Sequence, residues 1–246
     1  MRHPMTDLER EELVAPLERA LIIFSHPDDA EFSAAPTIAA LTASGARVDY
    51  VVTTDGGKGT DDPAVTPEQL ASTRIAEQRA AADVLGVGEI VHLGYPDGYL
   101  LPTLELRRDI VRQIRRFRPD LVIAQNPQRR ADGNPFIAHP DHLATGEATL
   151  AAVYPAARDR LNFPELIDEG LEPWKVRQVL VTSVERPNLW IDVAGTFEVG
   201  LRALQQHVSQ IDDWDEVEGR VRERAAEVGE PVGMPMAQAF LSILLT

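Results

Sequence analysis

The amino-acid sequence predicts an α/β protein built on a mostly parallel sheet flanked by helices on both faces. Three observations carry that expectation. Short, continuous apolar runs alternate with longer segments of helical periodicity; strand, helix and strand follow one another within about 35 residues; and polar clusters rich in glycine or proline come directly after the apolar runs. A continuous apolar run suits a strand buried on both faces, which is what a parallel sheet needs.

The first run, residues 19–24 (RALIIF), reads as such a strand, and 36–44 (PTIAALTAS), closed by Gly45, as the helix after it. Residues 48–53 (VDYVVT) give the second strand. They lead into the loop Asp55-Gly56-Gly57-Lys58-Gly59, whose glycines let backbone approach a site closely. The Ala-, Arg- and Gln-rich segment 68–85 stops at Gly86, as a helix does. Residues 89–93 form the third strand and run into the turn Gly94-Tyr95-Pro96-Asp97-Gly98. Leu106, Ile110, Ile114 and Phe117 recur as one helical stripe that Pro119 ends, and 121–124 (LVIA) is a fourth short strand. A polar, proline-rich loop over 126–141 is long enough to suspect function, and a helix follows over 142–151. The last third offers strands near 176–184 and 189–193, helices over 197–211 and 214–228, and a final apolar stretch at 237–245. The alternation is Rossmann-like. In such sheets ligands bind beyond the carboxyl ends of the strands, so the polar clusters after the first four strands are expected to meet at one edge.

The chain has 246 residues, 44% hydrophobic, 26% charged and 6% aromatic, which excludes disordered and collagen-like classes. Its length suits one domain over 1–246, with 1–18 as an N-terminal extension. Lys plus Arg number 24 against 39 Asp plus Glu, a formal net charge of −15, so neither nucleic acid nor an anionic membrane is expected as a partner. A small molecule is. No run approaches the ~18 apolar residues of a membrane span, and the start lacks the pattern of a secretory signal, so the expected location is cytoplasmic. A homo-oligomer is compatible with this reading. The absence of cysteine excludes disulfides and thiolate ligands, which leaves histidine and carboxylate to hold any metal.

Six histidines are present: His3, His26, His92, His139, His142 and His207. Three of them fall in two short motifs on expected strand-end loops, His26-Pro27-Asp28-Asp29-Ala30-Glu31 and His139-Pro140-Asp141-His142. A catalytic zinc takes three protein ligands and keeps a position open for water; these motifs can supply that set and still leave carboxylates for proton transfer.

The ordered signals HPDDAE after an apolar strand, Thr54-Asp55-Gly56, Arg74-Ile75-Ala76-Glu77, Gly94-Tyr95-Pro96-Asp97-Gly98 and HPDH resemble the PIG-L/LmbE-like family of zinc-dependent N-acetylglucosaminyl de-N-acetylases over about residues 19–150. Weaker resemblances lie in Trp190-Ile191-Asp192-Val193, His207-Val208-Ser209-Gln210 and Ala237-Gln238-Ala239-Phe240. Carried over position by position, the resemblance implies His26, Asp29 and His142 as metal ligands and Asp28 as general base. It implies a protonated His139 as oxyanion stabiliser, Asp141 orienting His139 from behind, and Arg74 and Asp97 reaching sugar hydroxyls. The implied cofactor is Zn2+, with Fe2+ or another divalent cation as substitutes, and the implied partner is an N-acetylated amino-sugar conjugate. The chain departs from the family at Ile137, where some members place a tyrosine, and at Gln238, where glutamate is common. The segment Ser33-Ala34-Ala35-Pro36 also replaces residues that are often glycine-rich.

Plainer roles stand beside these. HPDDAE alone can be a helix cap, Arg74 and Glu77 an ordinary helix-face pair, Asp97 a turn residue, His92 a satisfied core residue and His207 a structural one. Rival functions are an amidase on a larger glucosaminyl thiol conjugate, a non-haem Fe(II) oxygenase using two histidines and a carboxylate, and a sugar-binding protein without activity. No G-x-S-x-G, G-x-G-x-x-G or G-x-x-x-x-G-K-[ST] motif occurs.

Overall fold

The computed structural model describes residues 12–129 and 137–245; His3, most of the expected N-terminal extension and the middle of the 126–141 loop lie outside the described residues. Strands β1 (Arg19–Phe24), β2 (Arg47–Thr54), β3 (Ile90–Tyr95), β4 (Leu121–Ala124) and β5 (Gln178–Val181) pair in parallel. β7 (Ala237–Leu244) runs antiparallel to β5 and to β6 (Leu189–Asp192), and the sheet order is β3-β2-β1-β4-β5-β7-β6. The mostly parallel sheet is therefore present, and the final apolar stretch supplies its one reversed strand.

The helices are α1 (Asp29–Ala43), α2 (Pro67–Leu85), α3 (Leu104–Phe117), α4 (Pro140–Ala151), a short α5 (Glu165–Asp168), α6 (Phe197–Leu204) and α7 (Trp214–Gly229). β1 is apolar from Ala20 to Phe24 because both its faces are covered there. Ala20, Ile22 and Phe24 join Ile38 of α1 and Leu85 of α2 on one side, while Leu21 and Ile23 join Ile110 of α3 and Ala148 of α4 on the other. α2 is well bounded: Thr66 and Gln69 form a capping box, Pro67 takes the first helical position, and Gly86 closes the helix in the left-handed region.

Two helix boundaries differ from expectation. α1 begins at Asp29 rather than Pro36, so the proline lies inside the helix, where its missing N–H interrupts the ladder. The interruption is bridged from β7: the Thr37 N–H donates to Gln238 Oε1 (3.0 Å) and Gln238 Nε2 donates to Ser33 O (3.2 Å). The helix expected over 197–211 ends at Leu204 and resumes as a 3₁₀ turn, Val208–Gln210. Between them His207 turns inward, fully buried, to meet Glu31. His92 is half-buried on β3 at the sheet edge, and its Nδ1 has no partner among the described residues, so it is not the satisfied core histidine expected.

Candidate metal centre and active site

β1 lies between β2 and β4, and the chain leaves its two neighbours in opposite directions, which opens a crevice at their carboxyl ends. Ser25, at the end of β1, donates to Gln125 Oε1 beyond β4 (2.7 Å). α4 sits directly on that junction, because a Cβ at Gly146 would lie 2.5 Å from Gln125 O. Its first turn therefore faces the start of α1, and the rings of His26, His139 and His142 come within 4.8–5.4 Å of one another.

His26 Nδ1, His142 Nε2 and the Asp29 carboxylate form a triangle. Its edges are 3.3 Å between the two nitrogens, 3.2 Å from His26 Nδ1 to Asp29 Oδ2 and 3.1 Å from His142 Nε2 to Asp29 Oδ1. Ligands held 2.0–2.2 Å from one tetrahedral ion stand roughly 3.3–3.5 Å apart, so the spacing and the N/O donor set fit a divalent transition metal. Asp29 is fixed for this by the His26 backbone N–H (2.7 Å) and by Gln125 Nε2 (3.1 Å). Two other donor sets share His26: the first adds His139 and His142, and the second adds Asp97, His139 and Asp141.

That second set lies behind His26. Asp141 Oδ2 is 3.2 Å from His26 Nε2 and 4.0 Å from His139 Nδ1, and the Asp141 carboxylate also accepts the Gly98 and Leu100 N–H groups. Asp141 thus backs His26 rather than His139. Asp97 Oδ1 stands 3.1 Å from the same His26 nitrogen while Oδ2 accepts the Lys58 N–H, and the residue is buried. Its carboxylate is thus occupied by His26 and by the Lys58 amide. Burial disfavours a charge on His26, but hydrogen bonds to Asp141, Asp29 and Asp97 outweigh it and raise its pKa to about 11. The carboxylates around this ring thus draw a positive charge into the site.

Asp28 adopts φ 97°, an uncommon conformation for a residue with a side chain, and its carboxylate makes no capping bond, so the helix-cap role is not the one it plays. The turn divides the two aspartates, with Asp29 toward the histidines and Asp28 toward Arg74. Arg74 is buried: it donates to Pro27 O (2.7 Å), Gly56 O (2.9 Å) and Asp28 Oδ2 (3.2 Å). It is spent on holding the loop rather than reaching outward, and Glu77, its expected partner, accepts from Ser209 instead. Gly56, at φ 66°, permits the close passage of loop and loop, since a Cβ there would lie 2.8 Å from Pro27 Cδ. Burial, then the charge of Asp29, raises the Asp28 pKa to about 7, against the pull of Arg74.

A protonated His139 is the sequence-based expectation. Its Nδ1 instead accepts the Asp141 N–H (3.2 Å), and burial together with the charge of His26 lowers its pKa. With Nδ1 accepting, the donor that this ring can offer is Nε2–H, on a side chain that is 43% exposed.

Residues 21–153 match the family model PIG-L, GlcNAc-PI de-N-acetylase. The chain belongs to the PIG-L family. It is 35% identical over 226 residues, 91% of this chain and 82% of the relative, to diacetylchitobiose deacetylase of Thermococcus kodakarensis. The N,N'-diacetylchitobiose deacetylase structure from Pyrococcus horikoshii superposes with a TM-score of 0.86 at 30% identity, covering 93% of this chain and 85% of that one. GalB, the 4-carboxy-2-hydroxymuconate hydratase of Pseudomonas putida KT2440, shares the fold at 18% identity, with a TM-score of 0.77 over 94% of this chain and 98% of that one. One fold thus carries differently named reactions, so the fold alone does not fix the activity.

The PIG-L motifs do not point to several residues that build this site. Gln78 accepts the Asp28 N–H (3.0 Å) and donates to both oxygens of Glu31, which also takes bonds from Tyr50 and His207. The available signal was Gln78 four residues after Arg74, on the same helical face. Gln125 lies in no local pattern, and the signature around Gln238 does not show its role, because their partners are distant in the chain.

Proposed function

We propose that the chain is a metal-dependent hydrolase that removes the acetyl group of an N-acetylglucosamine-type conjugate, releasing acetate and the free amine. The observation that supports this most is the histidine–aspartate triangle with Asp28 and His139 beside it. His26, Asp29 and His142 would hold the ion, Zn2+ by their chemistry, with Fe2+ or another divalent cation as substitutes. A bound cation of this kind supplies acidity to water and polarises the amide carbonyl.

The remaining chemistry belongs to the chain. Asp28 takes the proton of the attacking water and, with its pKa held up to about 7 by burial, returns it to the leaving nitrogen. His139 donates through Nε2–H to the oxygen that becomes negative, a contribution typically of about 3–4 kcal/mol. Asp141 and Asp97 hold the His26 ring with Nδ1 toward the ligand triangle. Arg74 and Gln78 fix Asp28. The amidase alternative keeps every role and changes the acyl group released. Nothing in the parallel sheet favours the oxygenase, and the full complement of base, ligands and donor argues against an inactive binder.

Acetate release from a panel of N-acetylglucosaminyl compounds, measured with chelator and then with added zinc, tests the proposal. Turnover that chelation abolishes and zinc restores is expected; no release from any member by the metal-loaded protein contradicts it.

A further inference from the structure

Beyond the ligand triangle the site opens into a cavity of about 960 Å³ that the chemistry above does not use. It begins at Asp29 and His142 and follows α1 to Pro36, then α6 and α7. Pro36 lies seven residues past Asp29, roughly 10 Å along the helix at 1.5 Å per residue. There α6 closes against it, since a Cβ at Gly200 would sit 2.6 Å from Pro36 Cγ. An acetyl methyl group reaches only about 1.5 Å past its carbonyl carbon, so an acetamide leaves the cavity empty.

The wall toward α6 and α7 is apolar, with Phe197, Leu201 and Val221 beside Trp190, whereas the side toward β4 and β5 carries polar residues such as Gln125 and Thr182. Phe32, at the near end, stays 45% exposed beside the metal centre. Gln238 is already committed to Thr37 and Ser33. Among the side chains of this wall that leaves the Trp190 indole N–H and Arg224, which stands exposed on α7. A hydrocarbon group laid against the apolar wall would leave water for carbon, whereas sugar hydroxyls would find partners only on the opposite, polar side.

Resting on the hydrolase reading above, we infer that this cavity is a subsite for an alkyl or aryl substituent of the substrate, attached either to the acyl group or at the anomeric carbon. Continuity with the ligand triangle identifies the occupant, because a substrate whose amide sits at Asp29 and His142 has the cavity as its immediate neighbour.

Two substrate series test this on the zinc-loaded, full-length protein. One extends the acyl group of glucosamine from acetyl to butyryl and hexanoyl; the other compares N-acetylglucosamine with its octyl and phenyl glycosides and with N,N'-diacetylchitobiose. In one series kcat/KM rises about three- to fourfold per buried methylene, chiefly through KM, and the series that responds shows which end carries the group. Val221→Trp shrinks the ratio of long to short member. Where the glycoside series responds, calorimetry on the wild type, free of turnover, gives a more negative heat-capacity change for octyl glucosaminide than for methyl glucosaminide. Acetate release with flat responses in both series, or a preference for diacetylchitobiose over the octyl glycoside, overturns the subsite and leaves the hydrolase standing. Failure to cleave any compound overturns both.

Discussion

Gln78 accepts the backbone N–H of Asp28 at 3.0 Å, and so satisfies the amide of a residue held at φ 97°. A buried helix side chain of α2 thereby fixes the direction of the proposed base. Gln78→Leu leaves that N–H and the Glu31 carboxylate short of partners, at a cost of about 2–4 kcal/mol. The expected outcome is a lower denaturation midpoint together with a kcat reduced roughly tenfold or more and a smaller change in KM. Equal activity in wild type and variant would show that Asp28 needs no such support.

Asp28→Asn keeps the shape and removes the proton acceptor. Turnover is expected to fall by about 10²–10⁴-fold while bound metal, measured by elemental analysis, stays at the wild-type ratio. Loss of metal in this variant would make Asp28 a ligand instead.

The base must be ionised to act, so the rate falls as pH drops through its pKa. Burial and Asp29 place that value at about 7, and a bound cation lowers it, which puts the acid limb of kcat/KM at or below pH 7. Arg74 pulls in the same direction as the cation. Arg74→Gln therefore shifts the acid limb to higher pH, whereas an unmoved profile would separate Arg74 from the base.

Gln238 serves Thr37 with its oxygen and Ser33 with its nitrogen. A glutamate cannot donate, so Gln238→Glu sets a carboxylate oxygen against the Ser33 carbonyl. Urea denaturation is expected to show a loss of about 1–3 kcal/mol with the slope unchanged.

Those two bonds also explain what the sequence could not tell. The strands β1 and β4 were legible because their apolar runs answer to burial on both faces, and the α3 stripe because Leu106, Ile110 and Ile114 are all buried. The start of α1 was not, because a proline inside a helix is stabilised here by a residue more than 200 positions away. The end of α6 was hidden for the same reason: His207 leaves the helix for Glu31, far back in the chain. In the site, motif and spacing brought forward the residues that gather around His26. They did not show that Asp97 and Arg74 face inward, since orientation depends on contacts with Lys58, Gly56 and Pro27.

The most direct test concerns which side of His26 carries the ion. A crystal of the zinc-loaded protein, with anomalous scattering measured at the zinc edge, is expected to show one peak about 2.0–2.2 Å from His26 Nδ1, Asp29 and His142 Nε2. A peak on the Nε2 side instead, between Asp97 and Asp141, would contradict the account.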